Sequence, residues 1–153
     1  MDELGPKRVK GTYPRLWSSN MLFGYSTRFG LLSEAGLSAR VLDEVKSCFL
    51  PMAEKTGTLW ESVGTDGFSC CHGFPCQAAW LLVRDALGVK QIDRKTKTVH
   101  LSAPEGIPLE WCEATLPVSK DESINVKWSR GTDGCPKYET VLPQGWKLVM
   151  HNR

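Results

Sequence analysis

From Tyr25 to Phe49 and again from Ala79 to Leu87 the apolar residues recur at steps of three and four, and beyond Asp93 several short runs alternate apolar and polar residues. The first spacing lines one face of a helix, and the second lines one face of a strand. The order predicts an α+β chain in which helices come first and a small β-domain follows, with the change near residue 93.

The helical part divides into three. Met21, Leu22, Tyr25, Phe29 and Leu32 form a stripe on a helix expected over residues 19–34 and stopped near Gly36. Ser38 suits an N-cap for a second helix with Leu42, Val45 and Phe49 on one face, which is expected to end before Pro51. A third helix is expected from Cys71 to Leu87, with Ala79, Leu82, Val83, Ala86 and Leu87 on one side and Gly88 as its C-terminal cap. The first eighteen residues mix charge with Gly5, Pro6, Gly11 and Pro14 and read as an irregular lead-in. This gives residues 1–18 as lead-in, 19–92 as the helical part and 93–153 as the β-domain.

In that last part short runs such as "TVHLS", "SINVKWS" and "WKLVM" are separated by Pro, Gly and Asp, which reads as an antiparallel sheet or a small sandwich. Ile124, Val126 and Trp128, and again Trp146, Leu148 and Met150, put the apolar residues on one face of their strands. Leu109 and Trp111 alternate out of step with Cys112, Ala114 and Leu116, so a bulge is expected near Cys112.

Composition narrows the partners. With 19 basic and 17 acidic residues spread through 153, the chain has no basic stripe to neutralise a run of phosphates, so nucleic acid is not expected. No apolar run reaches the roughly 18 residues of a membrane span, and the opening "MDELGPKRVKG" lacks the apolar centre of a signal peptide. No localisation is legible. Six cysteines without regular spacing do not make a disulfide framework, and reduced, mostly buried thiols are expected. Six tryptophans are many for this length, and such rings serve both as core filling and as stacking surfaces for sugars.

The chemistry concentrates in "TGTLWESVGTDGFSCCHGFPC", residues 56–76. Cys70, Cys71, His72 and Cys76 are four soft or borderline ligands, but zinc sites use pairs two to four residues apart and two such pairs together. Packed thiols are the simpler reading, and no metal or other cofactor is expected. A thiol at a helix N-terminus beside His72 is a candidate nucleophile, without any further signature to support it. Glu61, directly after Trp60 in a Gly/Thr-rich loop, is placed to line a sugar pocket beside a ring. Glycosidases need two carboxylates across the scissile bond. Asp66 shares the loop at no fixed distance, and Glu110 and Glu113, three apart on an expected strand, face opposite ways.

Taken together, "TGTLWES", "SCCHGF", "AAWLLVRDALGV" and "PLEWCEATLPV" resemble, in the same order, the C-terminal portion of bacterial α-L-rhamnosidases and related six-hairpin glycosidases, over roughly Trp17 to Trp128. The resemblance implies that the helices are the last of an (α/α)6 barrel and that the strands form the small β-sandwich that follows it. It also implies Glu61 as the general base of an inverting hydrolysis, Trp60 as the adjoining aromatic wall and His72 as a sugar contact. The partner implied is a carbohydrate, a rhamnoside or a related glycoside. The family's general acid lies in earlier barrel helices and has no counterpart in this sequence, so the chain by itself is expected to be inactive. Self-association through helix faces that the rest of a barrel would cover is a further expectation. The competing reading is a noncatalytic carbohydrate-binding or interaction module, in which Trp111, Trp128 or Trp146 of the β-domain is the exposed ring.

Overall fold

A computed structural model describes residues 24–62, 69–73 and 76–151. The lead-in, Trp17, the first turn expected of the first helix and Asp66 lie outside the described residues. The chain is α+β, with helices ahead of two three-stranded sheets. Its contacts divide it into two units, Met1–Leu81 and Leu82–Arg153.

In the first unit, α1 spans Gly24–Glu34 and α2 spans Ser38–Thr56. α1 stops as the sequence suggests: Gly36 takes a positive φ of 75°, while Leu37 N–H donates to Leu32 O at 2.8 Å and Gly36 N–H to Ser33 O at 2.9 Å. These two bonds satisfy carbonyls that the helix end leaves open.

α2 departs from expectation at both ends. Ser38 is its first helical residue and Leu37 holds the cap position without a side-chain bond. Pro51 lies inside the helix, which runs another turn to Thr56. A proline there removes one ladder bond, but the extra turn buries Met52 to 2% exposure and closes on Gly57, whose φ of 72° lets its N–H reach Ala53 O at 2.8 Å. Core burial and a good cap together outweigh one lost bond.

The core of this unit is built on Phe29, Leu32, Val41, Phe49 and Met52, with Tyr25 stacked on Phe29 at 5.7 Å and Phe49 edge-on to Phe29 at 6.3 Å. On the same helix faces sits an ion cluster. Glu44, 3% exposed, accepts from Arg28 Nε and a second Arg28 nitrogen, both at 2.6 Å, and from Arg40 Nε at 2.9 Å.

α3 covers only Gln77–Leu81, and the chain then enters a π-helical turn, Leu82–Ala86. Residues 70–73 are not helical, so the third helix starts later than its apolar spacing suggests. The buried face differs too: Ala78 and Leu81 are buried, whereas Ala79 is exposed and Leu82 is 47% exposed. Ala86 and Leu87 are buried as the stripe predicts; a π turn holds more residues than an α turn, so one α-helical period carried from 71 to 87 matches the buried face at its end but not at Ala79 and Leu82.

In the second unit the strands begin at Val89, ahead of the alternating texture. β1 (Val89–Asp93) pairs antiparallel with β2 (Thr98–Leu101), with a break in register between Val89 and Gln91. β6 (Lys147–Met150) lies on the other side of β2 and runs parallel to it, the one departure from the antiparallel expectation. As an edge strand, β6 leaves its apolar side open: Leu148 and Met150 are 36% and 45% exposed, although they stand opposite the fully buried Val99 and Leu101.

The second sheet orders β3 (Trp111–Pro117), β4 (Ser123–Arg130) and β5 (Pro136–Val141), all antiparallel. The β3–β4 register runs unbroken from Trp111 opposite Ser129 to Pro117 opposite Ser123, so the bulge expected near Cys112 does not form. Leu109 precedes the strand instead, its carbonyl taken by the Arg130 guanidinium at 2.8 and 3.2 Å. Cys112, Ala114 and Leu116 then keep one face with the fully buried Trp128, Val126 and Ile124, and Trp111 turns outward. Trp128 Nε1 donates to Ala86 O at 3.0 Å and Tyr138 Oη to Leu87 O at 2.9 Å, fastening this sheet to the chain just ahead of β1. The φ of 88° at Gly88 and its close approach to Tyr138 Oη and to Ser102 O, 2.5 Å from where a Cβ would stand, reserve the position for glycine.

Candidate functional site

The loop carrying Trp60, Glu61 and His72 is organised by the end of α2. Past Gly57 the chain straightens, and residues 58–61 bond to residues 69–72. Glu61 N–H donates to Ser69 O at 2.9 Å and His72 N–H to Leu59 O at 3.0 Å, while Thr58 Oγ1 donates to Cys70 O. The Glu61 carboxylate also accepts from Ser69 N–H at 3.4 Å. This irregular two-segment ladder brings Glu61 and His72, eleven positions apart in sequence, onto the same short piece of structure, each half-buried.

Trp60 is held differently. Its ring is 7% exposed and belongs to the helical core; Nε1 donates to Thr56 Oγ1 at 2.7 Å, and Lys55 Nζ lies 5.4 Å from the ring centroid. Thr56 in turn donates to Met52 O at 3.2 Å. The ring therefore pins the loop to the last turn of α2 and presents little face to a ligand.

The cysteines do not follow the expected burial. All six are described and none forms a disulfide; only Cys48 is buried, Cys112 is partly buried, and Cys70, Cys71, Cys76 and Cys135 are exposed. Cys70 and Cys71 stand on the loop ladder rather than between helices. Since residues 70–73 are not helical, no helix N-terminus lies behind them to activate a thiolate. Burial pushes the Cys48 thiol up to about 11 and the neighbouring Tyr25 hydroxyl up to about 12, which leaves that thiol protonated and unreactive. Among the described residues no group of three or more His, Cys, Asp or Glu side chains is arranged to hold a metal ion.

No family model, curated protein or solved structure matches the chain. What the site can do is read from its own geometry. Glu61 is a carboxylate on a bonded loop opposite Ser69, and His72 lies on the same ladder opposite Leu59. Glu110 lies ahead of β3 and is exposed, its Oε2 3.9 Å from Arg130 Nε, while Glu113 faces solvent opposite Lys127, so these two do not form a working carboxylate pair. Of the three β-domain tryptophans, Trp128 is fully buried, Trp146 is half-buried, and Trp111 is 64% exposed. No helix among the described residues is long and apolar enough to cross a membrane.

Two features escaped the sequence reading. Glu44 sits on the apolar stripe of α2 between Val41, Val45 and Cys48, and a charge at a stripe position is the signal that a buried partner exists. His100 and His151 are far apart in sequence and meet only through the parallel pairing of β2 and β6.

Proposed function

We propose that residues 58–72 are the general-base side of an inverting glycoside-hydrolase site resembling that of α-L-rhamnosidases, with Glu61 as the base and His72 as a sugar contact. The observation that carries this reading is the hydrogen-bonded pairing of residues 59–61 with 69–72, which fixes a half-buried carboxylate and the histidine segment together. Trp60, enclosed by the core, serves here to hold the loop. On the same reading α1 to α3 are the last helices of an (α/α)6 barrel. The general acid, about 6.5–9.5 Å from the base in an inverting site, comes from outside these 153 residues.

A second reading, a noncatalytic sugar-binding module, is favoured by Trp111. Its ring is the most exposed tryptophan surface among the described residues, on the outer face of the β3-β4-β5 sheet, with Ser129 opposite and Glu113, Lys127 and Asn125 along the same face. An exposed aromatic ring among polar side chains suits the apolar face of a pyranose and its hydroxyls.

One titration tests both. L-Rhamnose added to the ¹⁵N-labelled chain is expected to shift the amide resonances of Glu61, Ser69 and His72, with the shifts much reduced in Glu61→Gln, and an aryl α-L-rhamnoside is expected not to be turned over by the chain alone. Shifts confined to Trp111, Glu113 and Ser129, and lost in Trp111→Ala, would move the function to the β-domain. An unperturbed spectrum would dispose of both readings for this sugar.

A further inference from the structure

The outer face of the β1-β2-β6 sheet brings two of the chain's three histidines together. His100 lies on β2 opposite Val149 of β6. His151 follows β6 directly, and its backbone N–H donates to Leu101 O at 2.8 Å, prolonging the ladder by one rung. His100 Nδ1 and His151 Nε2 come to 2.8 Å, with ring centroids 5.0 Å apart and planes 26° from parallel. His100 is half-buried and His151 exposed, so both rings have room to turn.

A neutral imidazole has one N–H and one bare nitrogen. In this pair one ring donates and the other accepts, so a single proton occupies the space between two nitrogens that are both good ligands. The 2.8 Å separation is that of an N–H···N hydrogen bond, and it is also close to the spacing of two adjacent ligands on one cation. Two nitrogens bound at right angles to a cation with bonds of about 2.0 Å stand about 2.8 to 3.0 Å apart, whereas a tetrahedral centre with the same bonds spreads them to about 3.3 Å. The donor ring keeps its proton by moving it to its other nitrogen, so both rings bind as neutral imidazoles. On the same face stands Asp93, whose carboxyl accepts from Lys95 N–H at 2.8 Å and from Thr96 N–H at 3.2 Å. It is held below the usual carboxylate range chiefly by its hydrogen bonds from Thr96 and Lys95. Lys147 is the cation on this face, opposite Thr98. Among the described residues no third His, Cys, Asp or Glu is arranged as a ligand, so the pair offers a cation two nitrogens and leaves its other positions to solvent.

We propose that His100 and His151 form a two-nitrogen site for a square-planar or octahedral first-row dication, Cu²⁺ or Ni²⁺, which fastens the last strand to β2. One ligand comes from β2 and the other from the residue after β6, so the cation binds only while β6 is docked. Its affinity is therefore added to the attachment of that strand.

Ni²⁺ is the probe, because thiols do not reduce it, and the reduced full chain is the sample. Calorimetry is expected to give one Ni²⁺ per chain, lost in His100→Gln and in His151→Gln but kept in the combined Cys70→Ser, Cys71→Ser, Cys76→Ser variant, with Zn²⁺ binding more weakly. Hydrogen exchange of the Lys147 and His151 amides, which donate to Lys97 O and Leu101 O, is expected to slow about a hundredfold at a Ni²⁺ concentration one hundred times its Kd. Ni²⁺ binding that survives in either histidine variant, or that disappears with the three cysteines, overturns the proposal. So does binding that leaves the two amides exchanging at their original rate, a readout on the native chain that stands even where a variant does not fold.

Discussion

Replacing Glu44 with glutamine is expected to cost the helical unit about 3–5 kcal/mol, because it removes the charge that compensates a buried arginine. The Arg28 and Glu44 side chains are 7% and 4% exposed and bond through two parallel contacts of 2.6 Å. Glutamine fills the same space but cannot accept at both oxygens, and the Arg28 guanidinium stays in the core. The effect is expected in urea unfolding followed by circular dichroism at 222 nm. Exchanging both partners for apolar residues, Arg28→Met with Glu44→Leu, is expected to recover most of the loss, since a buried pair seldom outperforms well-packed hydrophobic groups. A Glu44→Gln protein as stable as the native one would mean that the cluster opens to solvent. The pH dependence has a definite sign. Burial works to raise the Glu44 carboxyl, yet the hydrogen bonds and charges of Arg28 and Arg40 outweigh it and leave the group below its ordinary value. A carboxylate lowered in the folded state contributes stability that is fully present above the unfolded value of about 4.3 and lost as pH falls through the folded one. The native chain should therefore lose this increment on acidification below about pH 4, and Glu44→Gln should show a flatter profile there.

The helical stripes and the strand alternation were legible because each depends on neighbours within a few positions. Gly36 and Gly88 stop their helices where the sequence places them, since a positive φ needs little beyond the residue itself. Local rules failed where distant contacts decide. Pro51 argues for a helix end, but Met52 finds a core position and Gly57 supplies a cap, neither of which a proline rule weighs. The spacing from Cys71 to Leu87 argues for one helix, while the bond from His72 to Leu59 holds the start of that stretch outside it and a π turn ends it. The alternation in "WKLVM" marks β6 as a strand, but its parallel partner and its exposed apolar side follow from topology, which alternation does not encode. The same division holds at the candidate site. Glu61 and His72 stood out as residue types in a glycine-rich loop, whereas the burial of the Trp60 ring depends on the end of α2 and on the helical core, and no local pattern announces it.

The second large effect concerns Trp128, which carries more of the β-unit than its place on one strand suggests. It is fully buried at the centre of the inner face of β4, between the rungs of Cys112 and Tyr138, and its indole N–H satisfies Ala86 O at the end of the π turn. Trp128→Ala removes both the volume and the bond, and is expected to cost about 3–5 kcal/mol from the cavity alone, enough to unfold a marginal unit of this size. Trp128→Phe separates the two contributions. Most of the ring volume stays, but Ala86 O loses its donor in a buried setting, a loss of about 1–3 kcal/mol. Denaturant unfolding of the three proteins, followed by amide exchange at Val99, Leu101 and Val126 as reporters of both sheets, measures the order. If phenylalanine matches tryptophan, the indole bond contributes nothing and Ala86 O has found water. If phenylalanine falls most of the way to alanine, the junction between the π turn and the sheet is what the tryptophan holds. A loss in both sheets then follows, because the segment that Trp128 grips leads directly into β1, which pairs with β2 on the side away from β6.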